Sequence, residues 1–506
     1  MKKGKKLALL LVVCLIVTTV FAGCASKTSN NETGKPTVIK WVARSAGVQV
    51  DSQKVWGEFN KQLNEKLPGV QVEFEPIANA DYAEKWKLMA ASGEEIDIAW
   101  TGWLIPYSDE VKKSAFKPLD ELIDKYAPNL KAALPDFYWD LATVDGKIYS
   151  VPCRQNVTDM RYGIRVHKEL AEKYWDTEKA KNVFYRNKTM TKECYDVIEE
   201  YLAKLKENGE IRKGVSTFFP ATGKGYYSIY DIFSYSQDDP TCKVANMYEM
   251  PEMKLYFDTM ADWYKKGYIR PDALSLGGTA RQDEGKEDGY VIWMHNTLEN
   301  TAETETKKYN YPIDIVPMNK NYTIGSLQSN DALVIPRTSK NPEAAIKLID
   351  LLYSDDGKDL LNLLVYGNEG EHYNTISENR IETLDYTQWP TKDSKYGMYT
   401  VAMGNTFNLK LTQAEPDGYF EMLEKLENES IKSPLLGFKP NNESFKNELA
   451  HLNVVINEYR TTLRSGSAPD HEKVYNEFVQ KMKKAGSDKI VEELNKQITE
   501  FLSNKK

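Results

Sequence analysis

The sequence predicts an α/β protein built on a mostly parallel sheet, behind an export leader. Three observations carry this. Strand, helix, strand, helix and strand alternate within Thr37–Trp100, the pattern of βαβ units whose helices cover the faces of a parallel sheet. About 470 residues follow the leader and its polar tail, more than one hydrophobic core organises, so two or three domains are expected. The uncharged run Leu7–Val20 is the only long apolar stretch, and it is shorter than a bilayer span.

The leader comes first in the chain. Lys2, Lys3, Lys5 and Lys6 precede the apolar run, which closes on Phe21-Ala22-Gly23-Cys24, so residues 1–23 read as a signal peptide. Residues 24–36, rich in Ser, Asn, Thr and Gly, read as a flexible tether. Losing residues 1–23 removes four lysines and no acid, taking the formal charge from −8 to −12. That acidic balance excludes nucleic acid as a partner class, because phosphate-binding surfaces are basic.

In the body, Thr37–Ala43 is β-rich and forms the first strand. Val55, Trp56, Phe59, Leu63 and Leu67 recur at helical spacing over Ser52–Leu67, which stops at Pro68-Gly69. Val70–Ile77 alternates as a strand, Asp81–Ser92 is helical, and Glu95–Trp100 is the third strand. In such sheets ligands sit beyond the carboxyl ends of the strands, which puts Arg44-Ser45 and Trp100–Trp103 on one rim. Ser108–Leu134 reads as mostly helical. Strands follow at Asp145–Pro152 and Arg161–His167, and helices at Lys168–Tyr174, Thr191–Asn208 and Met253–Gly267. A polar, aromatic loop separates the last two helices. Gly289–Met294 and Ile313–Pro317 are strands around a helix at Thr301–Lys308, and Asn341–Tyr353 starts with Pro342 in its first turn. Apolar series at helical spacing mark Phe445–Leu463, Asp470–Lys484 and Ser487–Leu502.

The chemistry of an enzyme is missing from the pattern. There is no nucleophile elbow, no paired histidine motif and no CxxC, so neither a catalytic triad, a metal nor a cofactor is expected. Adjacent acids such as Glu94-Glu95, Glu199-Glu200 and Asp355-Asp356 suit solvated helix faces. Cys153, Cys194 and Cys242 are odd in number after Cys14 and Cys24 are set aside. One pair among them is open. The chain is rich in aromatics, with 31 Tyr, 16 Phe and 10 Trp, which suits a cleft offering flat faces and hydroxyls to a ring-shaped polar ligand.

Several motifs resemble known families. Phe21-Ala22-Gly23-Cys24 resembles the lipobox of bacterial lipoproteins, although Phe21 stands where that motif usually has leucine. This implies lipidation at Cys24. The order of the first α/β lobe, "DGKIYSVP", a strand running into a helix, "WYKKGYI" and "NPEAAIKLIDLLYSDDG" resembles the extracellular solute-binding proteins of ABC importers, the family of maltose-binding protein. "YGNEGEHY", "SPLLGF" and the helical end resemble a Gram-positive subgroup with a C-terminal extension. The resemblance implies a two-lobed fold, each lobe a mostly parallel sheet flanked by helices. An N-terminal lobe takes residues 37–151 and 317–366. A C-terminal lobe takes 152–316 and 367–506.

It further implies a binding protein on the outer face of the cell membrane. An oligosaccharide ligand, permease subunits and the membrane, reached through the lipid anchor, are its partners, and the chain is expected to be a monomer. A peptide or other organic solute is the alternative ligand. A surface glycan-degrading enzyme and an adhesin are the alternative classes. Candidate ligand contacts, from strand ends and the family pattern together, are Arg44, Ser45, Trp103, Asn156, Tyr226, Tyr230, Trp293, His295, Asn296, Glu369 and His372.

Overall fold

The computed structural model describes residues 35–505 apart from 106, 159–160, 216–222, 276–292, 299–300, 326–330 and 386–389. The leader and Cys24 lie outside the described residues. The chain builds β1 (Thr37–Ser45), α1 (Ser52–Lys66), β2 (Val70–Ala78), α2 (Asn79–Ser92) and β3 (Ile98–Thr101) in the expected order. The helical stretch that follows is broken into Tyr107–Lys112, Asp120–Tyr126 and Pro128–Ala133. Proline at 118 and 128 explains the breaks, since it offers no N–H to the preceding turn. Next come α3 (Asp136–Ala142), β4 (Val151–Pro152), β5 (Arg161–His167), α4 (Lys192–Glu207) and α5 (Pro251–Lys265). After these come β6 (Trp293–Thr297), α6 (Thr301–Tyr309), β7 (Ile313–Pro317), β8 (Thr323–Ile324) and β9 (Ala332–Val334). The chain ends with α7 (Pro342–Tyr353), α8 (Lys358–Tyr366), β10 (Ile431–Lys432), α9 (Lys446–Ser465), α10 (His471–Lys484) and α11 (Ser487–Asn504).

The first sheet has the strand order β2-β1-β3-β9-β4. β1 pairs in parallel with β2 and β3, whereas β9 runs antiparallel to both β3 and β4. Its core is apolar on both faces. Ile39, Trp41 and Val42 of β1 pack with Val55, Phe59 and Leu63 of α1 and with Ile346, Ile349 and Leu352 of α7. Each such side chain, fully buried, contributes about 1.5–3 kcal/mol.

The second sheet, β6-β5-β7, departs from the expected parallel arrangement, because β5 is antiparallel to both neighbours. β6, α6 and β7 form the βαβ unit that the sequence suggests. β5 enters between its two strands from the other direction, so each hydrogen-bonded pair is antiparallel.

Among the described residues, most buried apolar side chains fall into two clusters. One surrounds the first sheet and also takes Ile381, Tyr396, Met398, Met403 and Leu409, all beyond Tyr366. The other surrounds α4 and α5. Leu452 and Ile456 of α9, Phe478 and Met482 of α10, and Ile490, Leu494 and Ile498 of α11 complete it. β8 and β10 pair in parallel, Thr323 with Ile431 and Ile324 with Lys432, and Ile324 belongs to the first cluster. Cys153, Cys194 and Cys242 are all buried free thiols, so the pairing left open by the sequence does not occur.

Candidate functional site

The carboxyl rim of the first sheet concentrates the polar side chains. Arg44 ends β1 with only 2 % of its surface exposed. Its Nη2 lies 2.9 Å from Asp331 Oδ1, and its Nη1 donates to Asn79 Oδ1 at 3.3 Å. The guanidinium stacks between Trp100 and Tyr399, 4.7 and 5.0 Å from the ring centroids. Asp331 also accepts from Trp100 Nε1 at 2.6 Å and from Gln155 Nε2 at 3.1 Å. Burial pushes its carboxyl above the ordinary range, and Arg44, Gln155 and Trp100 pull it back.

Ser45, fully buried, accepts from the Gly47 N–H at 3.0 Å and shapes the turn after β1. Trp103 behaves differently. It follows β3 in a tight turn and is 56 % exposed, with its indole outside the core. Gly102 permits that turn. A Cβ there would lie 2.4 Å from the Trp100 ring. The rim therefore joins a rigid buried ion pair to an exposed flat face.

Other candidates divide by location. Asn156 accepts from the Thr158 N–H and hydroxyl at 3.2 and 2.7 Å, a local turn beyond β4. His372 is buried near the start of α1. Its Nδ1 accepts from the Asn368 N–H at 2.9 Å, so Nε2 carries the proton and points at Asp51 Oδ2, 3.1 Å away. Glu369 is exposed on a polar groove of about 660 Å³ with Lys54, Glu58, Asp359 and Lys410. Tyr226 and Tyr230 stand in the other cluster's part of the chain. The Tyr226 hydroxyl donates to Glu252 at 2.8 Å, and Tyr230 meets Phe445 edge-on at 6.5 Å. Trp293, His295 and Asn296 lie on β6, and their side chains are outside the described residues.

Sequence reasoning missed Asp331, Gln155, Asn79 and Tyr399. The available signal was the single acid directly before the apolar run Ala332–Ile335. Only the antiparallel register, Ala332 opposite Thr101, brings that acid to the rim where β3 ends.

A second polar group lies beside Pro152. The Tyr138 hydroxyl is 2.7 Å from the Glu427 carboxylate and 2.9 Å from the Gln155 carbonyl. Arg154 stacks on Phe407 at 4.3 Å and pairs with Glu424 at 2.9 Å. Burial raises the Glu427 carboxyl above its ordinary value, against the pull of Tyr138 and Arg154.

The comparison with known proteins fits this geometry. Residues 58–360 match the family model described as bacterial extracellular solute-binding protein. The chain belongs to that family. Residues 434–503 match a second model, described as a domain of unknown function. A carbohydrate ABC transporter substrate-binding protein of Streptococcus pneumoniae is 27% identical over the whole of both chains. Among solved structures, the N-glycan transport solute-binding protein NgtS of Streptococcus pneumoniae matches with a TM-score of 0.75 and 27% identity, over 93% of this chain and 100% of that one. The same protein in complex with Man5GlcNAc matches with a TM-score of 0.62, over 93% of this chain and 99% of that one. The Streptococcus pneumoniae protein FusA in complex with kestose, 16% identical, shares the fold at a TM-score of 0.59 over 92% of this chain and 100% of that one. Solute-binding proteins of this family are two-domain molecules, in line with the two apolar clusters.

Proposed function

We propose that this protein captures an oligosaccharide between its lobes and delivers it to the permease of an ABC importer, without altering it covalently. The observation that carries the reading is the full-length likeness to a carbohydrate ABC transporter substrate-binding protein. The exposed Trp103 at the carboxyl rim supports it, because a sugar ring presents an apolar face that packs on an indole. The ligand favours the closed arrangement only by the contacts it gains there. In this reading Arg44 and Ser45 hold the rim rigid, and Trp103 with the aromatics of the second lobe, Tyr226, Tyr230 and Trp293, flank the ligand. Asn156, His295, Asn296, Glu369 and His372 supply polar contacts or their supports.

The lobes divide where the apolar clusters do. We place the third passage between them at Ile431–Lys432, later than Tyr366, because Ile381 and Tyr396–Leu409 share the first cluster. Cleavage before Cys24 and lipidation of its sulfur keep a monomeric protein beside the permease on the outer face of the membrane.

Calorimetric titration of the mature protein with Man5GlcNAc, kestose and a set of short peptides tests the ligand class. Binding of a glycan that is recovered intact supports the proposal, and its melting temperature rises by mass action. Binding of peptides alone, or recovery of a shortened glycan, overturns it.

A further inference from the structure

The C-terminal segment that matches a domain of unknown function reaches back across the lobe boundary through Leu436, Gly437 and Lys439. Just beyond β10, consecutive side chains part company. Leu435 is buried in the second cluster and Leu436 in the first. Phe438 returns to the second cluster, 5.3 Å from Phe501 of α11, and Lys505 donates to the Leu436 carbonyl at 2.8 Å. Gly437, at φ +83°, brings the strap against the end of α3, where a Cβ would lie 2.9 Å from the Asp140 carbonyl.

Lys439 then donates to the carbonyls of Leu141, at 2.6 Å, and Thr143, and its ammonium lies 5.0 Å over the Tyr107 ring. These carbonyls belong to the end of α3, where the last C=O groups lack partners inside the helix and the helix dipole favours a cation. The neighbouring Ala142 carbonyl is already taken by the Tyr107 hydroxyl at 2.5 Å, and that of Trp139 by Thr143 Oγ1 at 2.7 Å. A helix end in one lobe is thus completed by a cation from the other lobe's extension.

We propose that Lys439 is a positioning residue, a latch across the hinge that sets the balance between lobe arrangements. Rotation of one lobe about the paired β8 and β10 moves everything beyond β10, so the latch belongs to one arrangement and breaks in another. Its strength depends on charge. Burial pulls the Lys439 ammonium down to about 7, with Asp145 and Asp140 acting against this. The titratable groups facing it are those two carboxylates and the Tyr107 phenol, and Lys505 also senses Asp140. As pH rises through about 7 the ammonium loses its charge and the cap weakens.

The test uses the mature, ligand-free protein, so its outcome does not depend on which solute binds. Leu88→Cys and Val454→Cys, both exposed and one in each lobe, take spin labels in a chain that carries Cys24→Ala, since Cys153, Cys194 and Cys242 are buried. Distances are read by pulsed electron resonance at about pH 6 and about pH 8, on either side of the titration. The expected result is a shift of the main distance between the two pH values in the parent. Lys439→Met shows the high-pH distance at both, and Lys439→Arg, which stays charged, keeps the low-pH distance at both. A parent whose distance ignores pH overturns the proposal. So does a folded Lys439→Met variant matching the parent at about pH 6. If Lys439→Met fails to fold, the parent and Lys439→Arg profiles decide alone.

Discussion

Arg44 at the end of β1 and Asp331 at the start of β9 meet 2.9 Å apart, although β3 lies between their strands in the sheet. The pair therefore spans the tip of β3, with Trp100 of that strand stacked on the guanidinium and hydrogen-bonded to the carboxylate. Three strands are pinned at the rim by one buried ion pair. Removing one partner strands the other charge in a site closed to water, which costs far more than the pair itself contributes.

Arg44→Ala is accordingly expected to lose about 3–5 kcal/mol of unfolding free energy at neutral pH, the usual cost of an orphaned buried charge. Denaturant unfolding of the purified variant measures it. Replacing both residues with apolar ones of similar volume is expected to cost less than Arg44→Ala alone. A loss within about 1 kcal/mol for the single variant contradicts the assignment.

The same rim depends on a glycine. In Gly102→Ala the new methyl would stand 2.4 Å from the Trp100 ring and push it off Asp331. Overpacking of this kind costs about 1–3 kcal/mol. The expected readout is a lower melting temperature together with weaker sugar binding, since Trp103 is carried by the same turn. Retention of both properties removes Gly102 from the design of the site.

Much of the fold is legible in the chain, and the reason is periodicity. Val55, Trp56, Phe59 and Leu63 predict α1 because burial of a helix face imposes its own repeat. The ends of α9, α10 and α11 follow from the same rule. What escapes is of two kinds. The hairpin Tyr226–Ile229 with Phe233–Ser236 turns on Tyr230 and Asp231, both at positive φ, 57° and 55°, without the Asn-Gly signal that normally marks such a turn. The Arg44–Asp331 contact arises from tertiary pairing, and no local pattern around either residue encodes it. Arg44 is thus recognisable as a rim residue from sequence, while its partner is not.

Trp103 separates stability from binding. Its side chain is largely solvated, so Trp103→Ala is expected to change unfolding free energy by no more than about 0.5 kcal/mol. Loss of an aromatic platform is worth about 0.5–1.5 kcal/mol in contact geometry beyond buried area, which weakens oligosaccharide affinity about two- to tenfold. Trp103→Tyr is expected to recover part of it. Calorimetry on a glycan that the parent binds measures both variants, and unchanged affinity in Trp103→Ala places the platform elsewhere.

Cys24 tests the anchor independently of the cleft. Expressed in a lipoprotein-processing bacterium, the parent is expected to incorporate labelled palmitate and stay with the membrane fraction. Cys24→Ala is expected to incorporate none and to move to the soluble or secreted fraction. Equal labelling of the two proteins argues against thioether lipidation at this position.

Glu427 gives the pH dependence a definite sign. Its carboxyl is buried and its pKa raised from the ordinary value of 4.5, because burial outweighs the Tyr138 hydrogen bond and the attraction of Arg154. Below the ordinary value the group is neutral whether the chain is folded or unfolded, and it costs nothing. Above the raised value it is charged in both states, and the folded state bears the desolvation. Between the two the folded protein holds the proton while the unfolded chain has released it, so stability falls as pH rises through that window. Each tenfold gain in proton affinity on folding is worth about 1.4 kcal/mol. Glu427→Gln keeps an acceptor for Tyr138 and has no proton to release, so it isolates this contribution from those of other acids. The unfolding free energy of the parent minus that of Glu427→Gln is expected to be more favourable near pH 4 than near pH 7. A difference that is flat, or that grows with pH, means that Arg154 holds the carboxylate ionised and that the pair dominates over burial.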